Sequence, residues 1–269
     1  MAERLRPRAP WWTKTLLGLV LAALYLPLLV MLVGAVFAPV QPGGERELTL
    51  HWFVAVLEDP DLMKALRNSL SVGLVSSVVT TLIGSLGAIA LHRMAGRGRL
   101  LLESLNTVSL VFPEIVFALA LLSWFFLLNL ELGLTTVIIA HITFSLSYVL
   151  MTVASRLSSM DHSLEEAARD LGAGELQILF KVTLPLLSPA LIAGFILSFL
   201  ISFDDFLITY FVNGVGSDTL PVKLYTSMRM GVTPKLNALS SLMFLMTVTG
   251  LLIFSRTPAF KVLFENDKK

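Results

Sequence analysis

The chain has 269 residues, of which 55% are hydrophobic and only 14% charged, with no cysteine and a formal net charge of +1. Soluble domains carry about one-quarter charged residues, so a water-soluble globule is excluded, and a mean hydropathy of +0.80 makes the bilayer the expected solvent. The lack of cysteine excludes a disulfide or thiolate-metal framework, and the near-neutral charge argues against nucleic acid as a partner.

A membrane-crossing helix needs about 20 mostly apolar residues. Six stretches qualify, at about 12–37, 68–91, 101–128, 134–154, 186–212 and 236–254. They are long apolar runs without short alternating segments, so the spacing predicts an all-α membrane protein and excludes an outer-membrane barrel. The six spans are expected to form a single transmembrane domain over residues 1–269. Arg4, Arg6, Arg8 and Lys14 precede or open the first stretch. That arrangement also suits a secretory signal, but the apolar core exceeds the usual length of about 7–15 residues, and an uncleaved first span is expected.

Pro42, Gly43 and Gly44 follow the first span, then Trp52, Phe53, Val54, Val56 and Leu57, then Asp59-Pro60. These residues predict a loop and a short surface helix whose aromatic residues anchor at the membrane interface. The second span carries Gly73, Ser77, Thr81 and Ser85 at every fourth position, with Thr80, Gly84 and Ala88 beside them. Small residues at that spacing let helix backbones approach closely, here within the protein's own bundle ahead of a subunit interface.

The third and fifth spans carry acids: Glu114 after Pro113, and the pair Asp204-Asp205. An acidic side chain at a helix centre costs about 2.5–3.5 kcal/mol on insertion scales, so it normally faces a partner or a water-filled path. Neither stretch contains Lys or Arg, and this pattern points to a path for a cation. Two structural readings stand beside it. Glu114 would complement a helix N-terminus opened by Pro113, and the Asp pair would be neutralised by Arg229 or Lys235 from elsewhere. His141, in the fourth span, is expected to be a packed core histidine.

Between the fourth and fifth spans lies a polar segment, 155–185. Ser163 and Glu166 have capping-box spacing and predict a helix from about Leu164. Leu164, Ala167, Ala168 and Leu171 then form one apolar stripe, opposite Glu165, Glu166, Arg169 and Asp170. Gly172 suits a left-handed C-cap, and Pro185 is expected to close a second short helix from Glu175 to Val182. On local physics alone, such a hook either docks on a partner or rests on the bilayer surface.

Orientation follows from basic residues, which collect on the cytoplasmic side. Placing both termini and the 155–185 segment inside puts 14 of the 20 Lys and Arg there. No G-x-x-x-x-G-K-[ST] loop is present to cradle ATP, so the energy source must lie on another chain. No H-E-x-x-H pair or Ser or Cys nucleophile with a base is present, and an enzyme is not expected.

The run Glu166-Ala167-Ala168, three residues, Gly172, nine residues, then Val182-Thr183-Leu184-Pro185 resembles the signature of the inner-membrane permease subunits of bacterial binding-protein-dependent ABC importers. Val182 takes the place of the usual isoleucine. The resemblance implies a type I importer permease fold, MetI-like, with six transmembrane helices. It also makes 166–185 a coupling helix that docks on an ATPase subunit, through Glu166, Ala167, Ala168, Gly172, Leu184 and Pro185.

A second resemblance is carried by Pro113-Glu114-Ile115-Val116, His141-Ile142-Thr143-Phe144, Ser202-Phe203-Asp204-Asp205, Leu220-Pro221 and the run from Met230 to Ala238. These segments are similar to the PotC-type permeases of spermidine and putrescine importers. The similarity implies a homologous second permease, an ATP-binding subunit dimer that holds ATP and Mg, a periplasmic polyamine-binding protein, and the inner membrane with its lipids as surroundings. The chain itself would bind no cofactor. Glu114, Asp204 and Asp205 would line the substrate path, with cation–π contacts from Trp124, Tyr148 or Tyr210. Permeases for other organic cations or amino acids share the coupling signature. A stand-alone channel or secondary carrier would be expected to show paired repeats, and no second copy of the Asp204 region is present.

Overall fold

The computed structural model describes residues 10–41, 43–161 and 163–256. Arg4, Arg6, Arg8 and Pro42, named above, lie outside the described residues, as do Lys261, Lys268 and Lys269 among the basic residues counted for orientation. In chain order the elements are α1 (Trp11–Val36), β1 (Phe37–Ala38), β2 (Glu47–Leu48), α2 (His51–Leu57), α3 (Pro60–Arg93), α4 (Arg97–Val111) and α5 (Glu114–Leu127). They continue with α6 (Leu134–Ser158), α7 (Ser163–Asp170), α8 (Glu175–Ile178), a π turn (Leu179–Thr183), α9 (Leu184–Asp204), α10 (Leu207–Val212), α11 (Leu220–Met228) and α12 (Pro234–Ser255). The all-α expectation holds; β1 and β2 form only a two-residue antiparallel ladder, Phe37 opposite Leu48 and Ala38 opposite Glu47.

The chain divides into two compact units. The first comprises the described residues up to Asp59 together with Ser227–Leu245. Its helix α1 exposes Leu17, Val20, Leu24, Val30 and Val33, as a span facing lipid must. The predicted loop and surface helix are present: Trp52 Nε1 donates to the Pro39 carbonyl at 3.1 Å and seats α2 against the ladder. Lys235 Nζ donates to Asp59 Oδ2 at 2.6 Å and ties the start of α12 to the end of the α2 segment.

The second unit, Pro60–Thr226 with the described residues from Met246, is built on α3, α6 and α9. Small residues at every fourth position bring these helices together. A Cβ on Gly84 would lie 2.9 Å from Val149 Cγ1, and one on Gly73 would lie 3.0 Å from the Phe199 ring. Ser76, Ser77, Thr80 and Ala88 are fully buried. The ladder is therefore used inside the unit's own bundle. One buried cluster joins Val72, Ala118, Phe125, Val137, Ala140, Ile208 and Val212; another joins Ala88, Ile89, Val149, Val153, Leu157 and Leu187.

Two expected spans are not single helices. Among the described residues five helices are long and apolar enough to cross a membrane, and the third stretch is the bent pair α4 and α5, which meet at 109°. Pro113 has no N–H to donate and disfavours helix at the residue before it, so Phe112 is extended at ψ 133°. The fifth stretch breaks between α9 and α10, where Asp205 is extended at ψ 129°. At its other end this helix starts earlier than expected. The run from Glu175 continues through the π turn into α9, and Pro185 lies inside it. An i→i+5 bond from the Leu184 N–H to the Leu179 carbonyl opens the turn, which relieves the clash by which proline would have closed a regular helix.

The Gly84 contact is directly testable. Gly84→Val should lower stability by about 1–3 kcal/mol through overpacking against Val149. Gly87→Ala, whose new Cβ would sit 3.5 Å from Leu150 Cδ1, should leave it unchanged. Thermal unfolding of the detergent-solubilised protein compares the two, and an equal melting temperature for Gly84→Val would contradict the packing.

Candidate functional site

The polar hook between α6 and α9 is built from short-range rules. The Asp161 carboxylate accepts the Ser163 N–H at 3.0 Å, so Ser163 is the first helical residue of α7 and the helix starts one residue earlier than the Ser163–Glu166 spacing predicts. At the far end Gly172 takes φ +83°. The Ala173 N–H reaches the Ala168 carbonyl at 3.1 Å and the Gly172 N–H reaches that of Arg169 at 2.9 Å. This pair of bonds is the left-handed C-cap expected of Gly172.

Around that cap, Arg169 donates to Glu175 Oε1 from Nε at 3.1 Å and from Nη2 at 2.9 Å, and Arg93 of α3 lies 3.4 Å from Glu175 Oε2. Glu166 is exposed, as are Leu164, Leu171, Leu176 and Phe180, with Leu171 89% accessible. Ala167 is exposed and Ala168 half-buried, while Leu184 and Pro185 sit at the root of α9. The hook thus offers an uncovered apolar surface flanked by carboxylates, a shape suited to a complementary partner.

The second cluster forms where α9 breaks. Asp205, 8% exposed, receives the Ile208 N–H at 3.2 Å and the Thr209 N–H at 2.8 Å, which caps α10, and also the Thr209 hydroxyl at 2.9 Å. His141 of α6, 2% exposed, completes the arrangement. Its Nε2 donates to Asp205 Oδ2 at 3.1 Å, and its Nδ1 pairs with Ser202 Oγ, which in turn lies 3.2 Å from Ser76 Oγ of α3. Glu114, the first residue of α5, brings its carboxyl against that of Asp205.

The structure therefore joins Glu114 and Asp205 through the broken ends of two helices, while Asp204 ends α9 with an exposed side chain. Glu114 lies at a helix N-terminus opened by Pro113, as one of the two readings of that residue requires. Within its unit, Asp205 is partnered by His141. The position of His141 in an apolar span predicts a packed core residue. It is buried, but it is also the hub of a polar network. Half of the signal lay in the sequence: Ser202, Asp205 and Thr209 recur at +3 and +4, with Asp204 among them, which marks a polar stripe but does not name its partner.

Of the candidate aromatics, Tyr210 packs with Phe206 and Tyr225 close to this break, with ring centroids 5.3 and 5.9 Å away. Tyr148 packs on Phe144, and Trp124 is 57% exposed. Among the described residues no cluster of His, Asp or Glu is arranged to hold a metal ion.

Comparison with known proteins gives a consistent result. Residues 80–265 match the family described as binding-protein-dependent transport system inner membrane component. The chain is 37% identical over 227 residues, 84% of its length and 86% of the relative's, to the spermidine/putrescine transport system permease protein PotC of Escherichia coli K12. It is 35% identical over 242 residues, 87% of this chain and 86% of the other, to the putrescine transport system permease protein PotI of the same strain. In fold it is similar to a chain of a bacterial ABC transporter that imports the acidic polysaccharide alginate, with TM-score 0.69, 19% identity and 94% of each chain covered. A chain of the MetNI methionine ABC transporter gives TM-score 0.62 and 18% identity over 72% of this chain and 93% of that one.

The cap and the pair at the break should be separable. Asp205→Ala removes both and should cost about 1–3 kcal/mol, whereas Asp205→Asn retains an acceptor oxygen for the Ile208 and Thr209 N–H groups and should cost about half as much. Thermal unfolding of the solubilised variants checks the order; equal losses would contradict the capping role.

Proposed function

The chain belongs to the binding-protein-dependent transport system inner membrane component family, and from that premise we propose that it is one of two homologous permease subunits of an ABC importer that moves spermidine and putrescine into the cytoplasm. It is a transport subunit rather than an enzyme, and ATP and Mg are bound by a separate ATP-binding subunit dimer. A periplasmic polyamine-binding protein delivers the substrate. Both termini and the α7–α8 hook face the cytoplasm, where the hook meets the ATPase through Glu166, Ala167, Ala168, Gly172 and the residues leading to Leu184 and Pro185.

The observation that carries the substrate class is the set of three carboxyl groups, Glu114, Asp204 and Asp205, at breaks in apolar helices, with no Lys or Arg in α5 or α9. A linear amine with two or more ammonium groups suits carboxylates on separate helix ends. Coulomb attraction there is stronger than in bulk water, and Tyr210 adds a face for a cation. The names of the two Escherichia coli relatives support the same substrates. In the mechanism, closure of the ATPase dimer draws the hooks together, the spans rock, and the cavity turns from one side of the membrane to the other.

The deciding experiment is ATP-dependent uptake of labelled spermidine and putrescine into vesicles that hold this chain, its partner permease, the ATPase and the binding protein, with each omitted in turn. Uptake that requires all four is expected. An assembled complex that hydrolyses ATP without polyamine uptake would return the substrate question to other organic cations or amino acids.

Two substitutions read the two ends of the machine. Glu166→Lys should leave the chain in the membrane and abolish ATP-driven uptake, so undiminished uptake would remove the hook from the coupling role. Asp204→Asn should raise the substrate concentration for half-maximal uptake about tenfold, the equivalent of about 1.4 kcal/mol, with assembly intact. An unchanged value would take Asp204 out of the path.

A further inference from the structure

Glu166, Ala167, Gly172 and Pro185 of the coupling signature are exposed, and a surface that meets a partner must also be tied to the span it moves. The tie uses Glu165, just before the signature, and Thr183, a position between its fixed residues. Glu165, on the flank of α7 that the periodicity assigns to solvent, turns its carboxylate inward and accepts the Thr183 hydroxyl at 2.6 Å. Thr183 is 1% exposed and is the last residue of the π turn. The same hydroxyl lies 3.4 Å from the Ile178 carbonyl, so it also touches the backbone of the turn. A hydroxyl–carboxylate bond of this length is charge-assisted and belongs to the strong class.

A second tie from α7 is weaker. The Arg169–Glu175 pair has both side chains half exposed, at 50% and 58%, and reaches α8, where Glu175 also meets Arg93 of α3. Exposed pairs contribute about 0–1 kcal/mol. Thr183 instead stands at the root of α9, whose 21 residues run from Leu184 to Asp204. At 1.5 Å per residue this helix is roughly 30 Å long. One end carries the bond to α7; the other ends beside Asp205 and the His141 network. The π turn carries the helix from α8 into α9 through its i→i+5 bond, and its last residue is the one that Glu165 holds.

We infer that the Glu165–Thr183 hydrogen bond is the link that passes movement of α7 through the π turn into α9 and so to the carboxyl cluster, which makes Glu165 and Thr183 positioning residues for transport. The inference rests on the importer reading above.

The test uses the full complex in vesicles with labelled spermidine, and reads uptake per ATP hydrolysed alongside co-purification of the ATPase. Thr183→Val keeps the branched shape and deletes the hydroxyl; Glu165→Ala deletes the acceptor. Both should assemble and hydrolyse ATP, yet lose about fivefold or more in uptake per ATP, the low end of a typical coupling between distant sites. Thr183→Ser and Glu165→Gln, which restore a donor and an acceptor, should recover most of it.

An unchanged ratio in Thr183→Val and Glu165→Ala would overturn the inference. Loss of the ATPase from the complex would also overturn it, by making the bond a support for docking, and so would failure of both conservative variants to recover. A wild-type complex that shows no ATP-driven uptake would instead overturn the importer reading itself.

Discussion

In lipid no water is available to satisfy a free backbone group, so any interruption of a spanning helix must be repaired from within the protein. The break between α9 and α10 meets that demand with one side chain. The Asp205 carboxylate receives the N–H groups of Ile208 and Thr209, which caps the helix that restarts. A carboxylate placed there is itself costly, and His141 offsets the cost by donating from α6. The pair thus turns a backbone defect into a fixed junction between α6, α9 and α10, with Ser202 and Ser76 extending the network to α3.

The same logic governs the bend between α4 and α5. Pro113 interrupts the helix, and Glu114 becomes the first residue of the next segment, where an acid complements the exposed N–H groups and the helix dipole. Two breaks in different stretches therefore bring two carboxyls into contact. Non-helical backbone at membrane depth is tolerated where it is buried in protein or lines a cavity, and the proposed substrate path runs beside both breaks.

At the other end of α9 the chemistry is that of a surface. Leu164, Leu171, Leu176 and Phe180 are exposed, and Gly172 ends α7 with a left-handed cap that turns the chain back toward α8. Nothing in α7 is buried, so its position depends on polar ties to Thr183 and Glu175 rather than on a core. An element held this way leaves its outer face free for a partner while its polar ties join it to the root of α9, an arrangement suited to the proposed lever.

Much of this was legible in the residues. Six apolar stretches set the class because the cost of exposing polar backbone to lipid acts locally, residue by residue. The glycine and serine ladder of α3 and the cap at Gly172 were equally local, and both appear as read. The spacing from Glu166 to Pro185 announced the hook and its family. Proline was harder. Pro113 does break its span, but Pro185, expected to close a helix, is carried through by a π turn whose wider geometry no periodicity count reveals. Two partners were also out of reach: His141 with Asp205, 64 residues apart, and Glu165 with Thr183, 18 apart. Sequence alone determined which segments are apolar enough to enter the membrane and where the chain could be capped, since those depend on composition and near neighbours. Only the tertiary structure decided which acid is held by which partner, because that depends on how α6 and α9 face each other once packed.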